Sequence, residues 1–408
     1  MNCERIAADL LAKCIGRAAP AELPRELLAD ECSRALFGIF VEGLGDRFEP
    51  ALCDAYAALF AQAIQGQDAG ALAARYRRIR AVRRAAARPD RVLVLSRVTL
   101  GADVAVTSVV LDAAKRAYPD AEIVFAGPRK NFELFAADAR LSHAAIEYPR
   151  GSLRDRLSVW EQLKALAAPG TLVLDPDSRL TQLGLLTIGE ERDYHLFESR
   201  SYGGDGLENL PALAAMWARE TVGIAGAKPY VALPGVRSAE FDGLNVGIAG
   251  AKPYVALSGA EKYEDSYIAI SLGVGENAAK RIAGDFERQL LGLLSAKARL
   301  IVDRGAGGEE AERVQRAAAD YGARITFWDG SFAGFAQIIA GSSLYAGYDS
   351  AGQHVAAACG VPLVTIFAGF PAERMFYRWR PAGPGVTVLR VDHPDPGEVL
   401  ARVAQAIA

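Results

Sequence analysis

Residues 346–369 read AGYDSAGQHVAAACGVPLVTIFAG. A small-residue strand end at Ala346 and Gly347 runs into the polar turn Asp349-Ser350-Ala351-Gly352. A helical run follows through His354 and Ala356–Ala358, Gly360 closes it, and the apolar strand Val361–Phe367 comes next. Strand, polar Gly turn, small-residue helix, Gly stop and strand make a βαβ unit. The alanines let the helix lie close to a sheet. Such a turn leaves backbone N–H groups free at a helix N-terminus, where the dipole favours an anion. Ser350 is placed either to cap the helix or to donate to a phosphate. Taken alone, the turn also fits an ordinary capped helix of an α/β domain.

Working outward, the same alternation extends upstream. Tyr267–Ser271 reads as a strand followed by Gly273-Val274-Gly275, and the spacing predicts a helix over 279–295. Strand Arg299–Asp303, a helix over 309–321 and strand Ile325–Trp328 complete one α/β set over residues 263–408. An earlier set occupies residues 89–220. Its strand Arg91–Ser96 leads into the turn Thr99–Asp103, a helix to Tyr118 and strand Glu122–Ala126, and Thr171–Asp175 supplies a further strand. Ligands of such doubly wound sheets sit beyond the carboxyl ends of the strands. Residues 1–88 have the three-and-four apolar spacing of helices, broken by Pro and Gly. They end in a basic run (Arg75, Arg77, Arg78, Arg80, Arg83, Arg84) that reads as a solvated helix face, or as a contact for a peripheral membrane surface or a protein.

Residues 221–262 form a linker with an oddity. VGIAGAKPYVAL occurs at 222–233 and again, letter for letter, at 246–257. Two copies are too few for a solenoid. One is expected to form the edge or linker and the other an inserted surface loop, which loop-closure entropy tolerates.

With 46 Lys and Arg against 49 Asp and Glu in 408 residues, the net charge of −3 gives no nucleic-acid footprint. The five cysteines lack CxxC spacing and an even count, so buried thiols in a reducing compartment are expected. The opening MNCERIAADLLAKC lacks the apolar core of a signal peptide, and no apolar run of about eighteen residues exists. The expectation is a cytoplasmic protein. No His or Cys pattern has metal-ligand spacing, and the proline in Asp175-Pro176-Asp177 argues against a DxD metal site, so no metal and no cofactor are predicted.

The motifs together resemble glycosyltransferase family 9, the heptosyltransferase-like enzymes. RVLVLSRVTLGADVAVTSVVLDAAKRAYPDAEIVFAG is similar to the family's first βαβ unit, and SLGVGENAAKRIAGDFERQLL to its Gly-rich loop with a following Lys. DRGAGGEEAERV resembles its Gly-rich strand end, YDSAGQHVAAACGVPLVTIFAG its D-[ST]-G-x-x-H block, and PAERMFYRWRP its closing Trp-Pro element. The likeness covers about residues 91–400. It implies a GT-B fold of two facing Rossmann-like domains, here with an all-helical N-terminal extension. It also implies an inverting, metal-independent transfer from a nucleotide-diphosphate sugar to a glycan, lipid-linked saccharide or protein acceptor.

The resemblance assigns the donor to the second domain. Gly273, Gly275, Lys280 and Arg281, with Asp349, Ser350, Gly352 and His354, would hold the diphosphate; turn amides plus a cation suit that group. Glu309 or Glu310 would bond the ribose, and Phe327–Ser331 would border the base, with core packing as the competing role for Trp328. In the family an Asp directly after Gly is the base. Here the loop is one residue longer, Gly101-Ala102-Asp103, and Asp103 is the candidate. Ala351 stands where the family has Gly, so a positive φ there would be strained. Asp175, Asp177 and Arg179, with Gln182 and Tyr194–Arg200, are candidates for the acceptor cleft. The alternative is a catalytically silent sugar-nucleotide-binding or scaffold protein acting through its helical extension. A nicotinamide oxidoreductase fits Gly273-x-Gly275-x-x-Ala278 but leaves Asp349–Pro362 without a role.

Overall fold

The computed structural model describes residues 2–85, 88–234, 266–275, 277–305 and 307–408. Two parallel sheets stand out among them. The first has the order β3-β2-β1-β4-β5, with β1 Arg91–Leu95, β2 Glu122–Gly127, β3 Leu141–Ala145, β4 Thr171–Asp175 and β5 Tyr194–Leu196. The second has the order β11-β10-β9-β6-β7-β8, with β6 Tyr267–Ser271, β7 Arg299–Asp303, β8 Ile325–Trp328, β9 Leu344–Tyr348, β10 Leu363–Phe367 and β11 Val386–Arg390. The inner strands β1, β4, β6 and β10 are buried nearly throughout, as strands covered on both faces require. The chain groups into two compact units. Unit 1 is Met1–Phe132, Ala139–Pro229 and Pro371–Trp379; unit 2 is Glu133–Asp138, Tyr230–Phe370 and Arg380–Ala408.

The first eighty residues are helices and helical turns, chiefly Cys3–Ile15, Pro50–Phe60 and Ala69–Ile79. Asn2 and Asp68 cap the first and last of these through side-chain oxygens, and Pro50 opens the middle one at a position where its missing N–H costs nothing. Their apolar faces join the core of unit 1, where Phe40, Tyr56, Phe60 and Tyr76 cluster with Leu93, Leu95, Val173 and Leu180. Each such side chain contributes about 1.5–3 kcal/mol by leaving water.

The basic run is only in part the solvated face expected of it: Arg77, Arg78 and Arg84 are exposed, while Arg75, Arg80 and Arg83 turn inward. Arg75 donates to the Leu185 carbonyl at 3.1 Å, and Arg83 to the carbonyls of Glu191 and Tyr194 at 2.8 and 2.9 Å. Arg80 pairs with Asp54 and lies 3.3 Å from buried Glu198. Backbone carbonyls for Arg75 and Arg83, and carboxylates for Arg80, draw these guanidinium groups inward. The thiol expectation also needs correction. Cys3 and Cys32 form a disulfide with Cα atoms 5.2 Å apart, while Cys14, Cys53 and Cys359 are free. Chain separation alone gives no hint of that approach.

The first copy of the repeat is built into the structure. Val222 ends the helix Leu210–Val222, and Gly223 (φ 83°) caps it in the left-handed region that glycine tolerates. Within unit 1, Arg116 donates to the Ala225 carbonyl at 2.9 Å and Asp112 accepts from the Lys228 N–H at 3.3 Å. Within unit 2, the Ala232 N–H bonds the Leu134 carbonyl at 2.8 Å. The second copy, 246–257, lies outside the described residues. Among the described residues no helix is long and apolar enough to cross a membrane.

Candidate functional site

In the second sheet the strand order reverses between β6 and β9, which pair directly (Ile270 with Ala346). Loops leaving two such strands on opposite faces open a crevice at their carboxyl ends. Lys280 Nζ lies 2.7 Å from Asp349 Oδ2 and donates also to the Asp349 carbonyl at 3.2 Å. Gln353 donates to the other Asp349 oxygen, and Thr365 Oγ1 donates to Gln353 at 2.8 Å. This chain of bonds fixes an ammonium group beside the start of the helix Ala351–Ala358, whose N-cap is Ser350. His354 lies one turn in, and burial lowers its pKa to about 4, leaving it a neutral imidazole near neutral pH.

Close approach explains the glycines. A Cβ on Gly347 would sit 2.3 Å from the Ser271 carbonyl oxygen, and one on Gly352 2.3 Å from the Tyr345 hydroxyl. Ala351 is not strained, because it opens the helix without a positive φ. Gly275 (φ 60°) does take the left-handed turn. A Cβ on Gly273 would meet Glu310 Oε1 at 2.6 Å, so Glu310 lies over the β6 turn while Glu309 is exposed. Position thus favours Glu310 of the two.

Two other candidates depart from expectation. The helix over 279–295 is interrupted: a 3-10 turn Ala278–Lys280 is followed by Gly284 (φ 66°), and the helix begins only at Phe286. Arg281 is therefore extended and leans on Glu287 at 3.4 Å, a carboxylate it shares with Arg313, apart from Lys280. Ser331 spends its hydroxyl capping the helix Phe332–Ala340 through the Gly334 N–H at 3.2 Å. Trp328, half-buried, packs over Gly330 and Gly334 and donates to the Ser331 carbonyl at 3.0 Å.

The first sheet reverses between β1 and β4, and a recess lies at that point within unit 1. Arg97, Thr99 and Ala102 line it from the β1 loop, and Asp177, Arg179 and Gln182 from the β4 loop. Phe37, Val41, Glu42, Asp46, Phe48 and Tyr56 of the N-terminal helices form another wall. No sequence signal marked those six residues. Arg200 grips Asp177 with two bonds of 3.1 Å, and Ser199 Oγ donates to the same carboxylate at 2.7 Å. Arg179 donates to Glu42 at 2.7 Å, and the Tyr56 hydroxyl donates to the Gln182 carbonyl at 2.8 Å. Desolvation pulls the Arg97 pKa down; Asp177 opposes this, while Arg200 and Arg179 add to it. Asp177, Gln182 and Leu183 all have positive φ (68°, 47° and 56°), a concentration of backbone strain of the kind found at ligand sites.

Two expected carboxylates are sealed away. Asp103 is fully buried and accepts four hydrogen bonds, from the Arg97 N–H at 2.7 Å and from Ser96, Thr107 and Asn131 at 2.6 Å each. Burial raises its pKa. In this structure it holds the β1 turn together rather than facing the recess, where Ala102 stands instead. Asp175 is buried under Tyr194, Thr181 and the Ser178 N–H, and burial pushes its carboxyl up to about 6. Of the acceptor candidates, Asp177, Arg179, Gln182 and Arg200 line the recess, and Asp175 does not. Among the described residues no group of three or more His, Cys, Asp or Glu is placed to hold a metal ion.

Comparison with solved structures finds E. coli heptosyltransferase WaaC with ADP-2-deoxy-2-fluoro heptose at a TM-score of 0.53 and 17% identity, covering 78% of this chain and 98% of that one. The fold is that of the heptosyltransferases. WaaC with ADP gives 0.52 at 16% identity, over 78% of this chain and 98% of that one. A glycosyl transferase family 9 protein from Veillonella parvula gives 0.50 at 14%, over 77% and 89%. No protein-family model matches the sequence, and neither does any curated protein. At these identities the likeness is one of fold, and chemistry rests on the residues.

Proposed function

We propose that the protein is an inverting glycosyltransferase of the family 9 type, with a nucleotide-diphosphate sugar held by unit 2 and a glycan, lipid-linked saccharide or protein acceptor held by unit 1. The observation that carries this reading is the Lys280–Asp349 pair at 2.7 Å beside Ser350, at the reversal point of a sheet with the heptosyltransferase fold. A leaving diphosphate gains negative charge as the glycosidic bond breaks. Lys280 and the amides opening the helix Ala351–Ala358 supply fixed positive charge for it, which lets the transfer proceed without a required metal. In this reading Glu310, which lies over the β6 turn, bonds the ribose. The WaaC structures hold ADP and an ADP-heptose analogue, so ADP-linked sugars are the first donors to try.

Calorimetry with ADP, UDP and GDP tests the donor site. One of them binds the wild type, and Lys280→Ala weakens it by about ten- to hundredfold, the worth of one charge-assisted bond of about 1.5–3 kcal/mol. Unchanged affinity removes Lys280 from the site. The second reading, a sugar-nucleotide-binding scaffold without turnover, is favoured by one observation: Asp103 is sealed and Ala102 faces the recess. A wild type that binds donor but neither hydrolyses nor transfers it supports that reading.

A further inference from the structure

The recess of unit 1 offers about 100 Å³ to the centres of water molecules. About 10–15 Å³ of such space is enough to admit one water, so the recess is well above the size at which a small polar ligand can enter. Its lining combines aromatic rings (Phe37, Phe48, Tyr56, Trp379) with the Arg179–Glu42 pair. Aromatic walls with a few placed polar groups suit a sugar, which has apolar C–H faces and a hydroxyl edge. The π-helical turn Leu36–Val41 gives Phe37 and Val41 to its wall, and such turns concentrate at functional sites.

Three carboxylates line the recess. Asp177 is fully buried with both oxygens held by Arg200. Asp46 carries a further interaction of its own. Glu42 is different: its side chain is 37% exposed, Arg179 orients one oxygen at 2.7 Å, and the other makes no hydrogen bond among the described residues.

We infer that the recess binds a sugar ring of the acceptor and that Glu42, contributed by the N-terminal helices, is the catalytic base in place of a carboxylate after β1. The inference rests on the transferase reading above. The acceptor O–H gives its proton to the unbonded Glu42 oxygen while the acceptor oxygen bonds the anomeric carbon of the nucleotide sugar. The bond from that carbon to the diphosphate oxygen breaks, and its electron pair leaves with the nucleoside diphosphate. Arg179 acts as a positioning residue for Glu42.

The test uses the full chain. Ligand-observed NMR with the methyl glycosides of glucose, galactose and a heptose reports on the recess, and mass spectrometry reports transfer from ADP-, UDP- and GDP-linked sugars to them. At least one glycoside binds the wild type, and Trp379→Ala, a partly exposed wall residue, weakens it at least tenfold. Glu42→Gln keeps glycoside and nucleoside-diphosphate binding but lowers kcat by about 10²–10⁴, and Glu42→Asp recovers part of the rate. No glycoside bound by the wild type, or binding indifferent to Trp379→Ala, overturns the sugar site. Glu42→Gln within threefold of wild-type kcat, or loss of turnover in Asp46→Asn alone, overturns the base. A wild type that binds a glycoside and a nucleoside diphosphate yet transfers nothing also removes the catalytic role. Glycoside binding without any nucleoside-diphosphate binding overturns the transferase reading and leaves the sugar site standing.

Discussion

Replacing Asp103 by Asn separates a structural carboxylate from a catalytic one. In the native turn Oδ1 accepts from the Arg97 N–H and Thr107, and Oδ2 from Ser96 and Asn131, at 2.6–2.7 Å. The Arg97 N–H cannot reverse its direction, so the new amide nitrogen must take the Oδ2 side. There Asn131 can turn to present its Oδ1, a buried oxygen without a partner, and the Ser96 hydroxyl can rotate. The network survives in shape but loses its charge. A bond to a charged group is worth about 1.5–3 kcal/mol against 0.5–1.5 for a neutral one, so four bonds lose about 4 kcal/mol. Relief from burying a charge, the cause of the raised Asp103 pKa, returns part of this. A net loss of about 2 kcal/mol remains, which lowers the melting temperature of a unit this size by roughly 4–8 °C. Calorimetric unfolding measures it, and turnover of the folded variant should stay within tenfold. A melting temperature unchanged within 1 °C, with turnover down a hundredfold, refutes the structural assignment and restores Asp103 as the base.

Three further outcomes are expected. Reducing the Cys3–Cys32 disulfide, which spans 29 residues, should cost about 3–4 kcal/mol by the loop-entropy relation and lower the unfolding midpoint of unit 1, read by circular dichroism with and without a phosphine reductant. His354, with its folded pKa lowered to about 4 from 6.5, stabilises the fold fully above pH 6.5 and loses that stability as the pH falls toward 4. Between pH 7 and 5 the loss is on the order of 2 kcal/mol, and His354→Gln should flatten that part of the denaturation curve. Deleting residues 234–257 keeps the first repeat copy with its bonds to Asp112, Arg116 and Leu134, so the shortened chain should fold with a melting temperature within a few degrees of the parent.

The parts of the fold most legible in the sequence are the apolar strands. Thr171–Asp175, Tyr267–Ser271 and Arg299–Asp303 have the bounds read from their apolar runs, as does the half-buried edge strand Ile325–Trp328. The strands missed are other outer ones. β3 is Leu-Ser-His-Ala-Ala, only half-buried; β5 is three residues long; β11 lies at a sheet edge. An edge strand needs little apolar surface and leaves little pattern. In the second sheet the glycines and Asp349 were readable because close backbone approach admits only glycine. The pairing of Lys280 with Asp349, across 69 positions, was not readable, since nothing local records it.

The recess shows why local motifs are an incomplete guide to a site. Much of its wall comes from the N-terminal helices, where Phe37, Glu42 and Tyr56 read as ordinary members of amphipathic stretches. What the β1 loop presents to it depends on helical phase. The helix after β1 begins at Leu100, and each further residue turns about 100° around its axis. That start directs Ala102 to the recess and Asp103 to Ser96, Thr107 and Asn131. In that phase the carboxylate lies in the core, although the letters Gly-Ala-Asp look like a base after a glycine turn. A glycosyl-transfer site in the recess then needs a carboxylate from elsewhere, and Glu42, held by Arg179, is the one we infer to supply it.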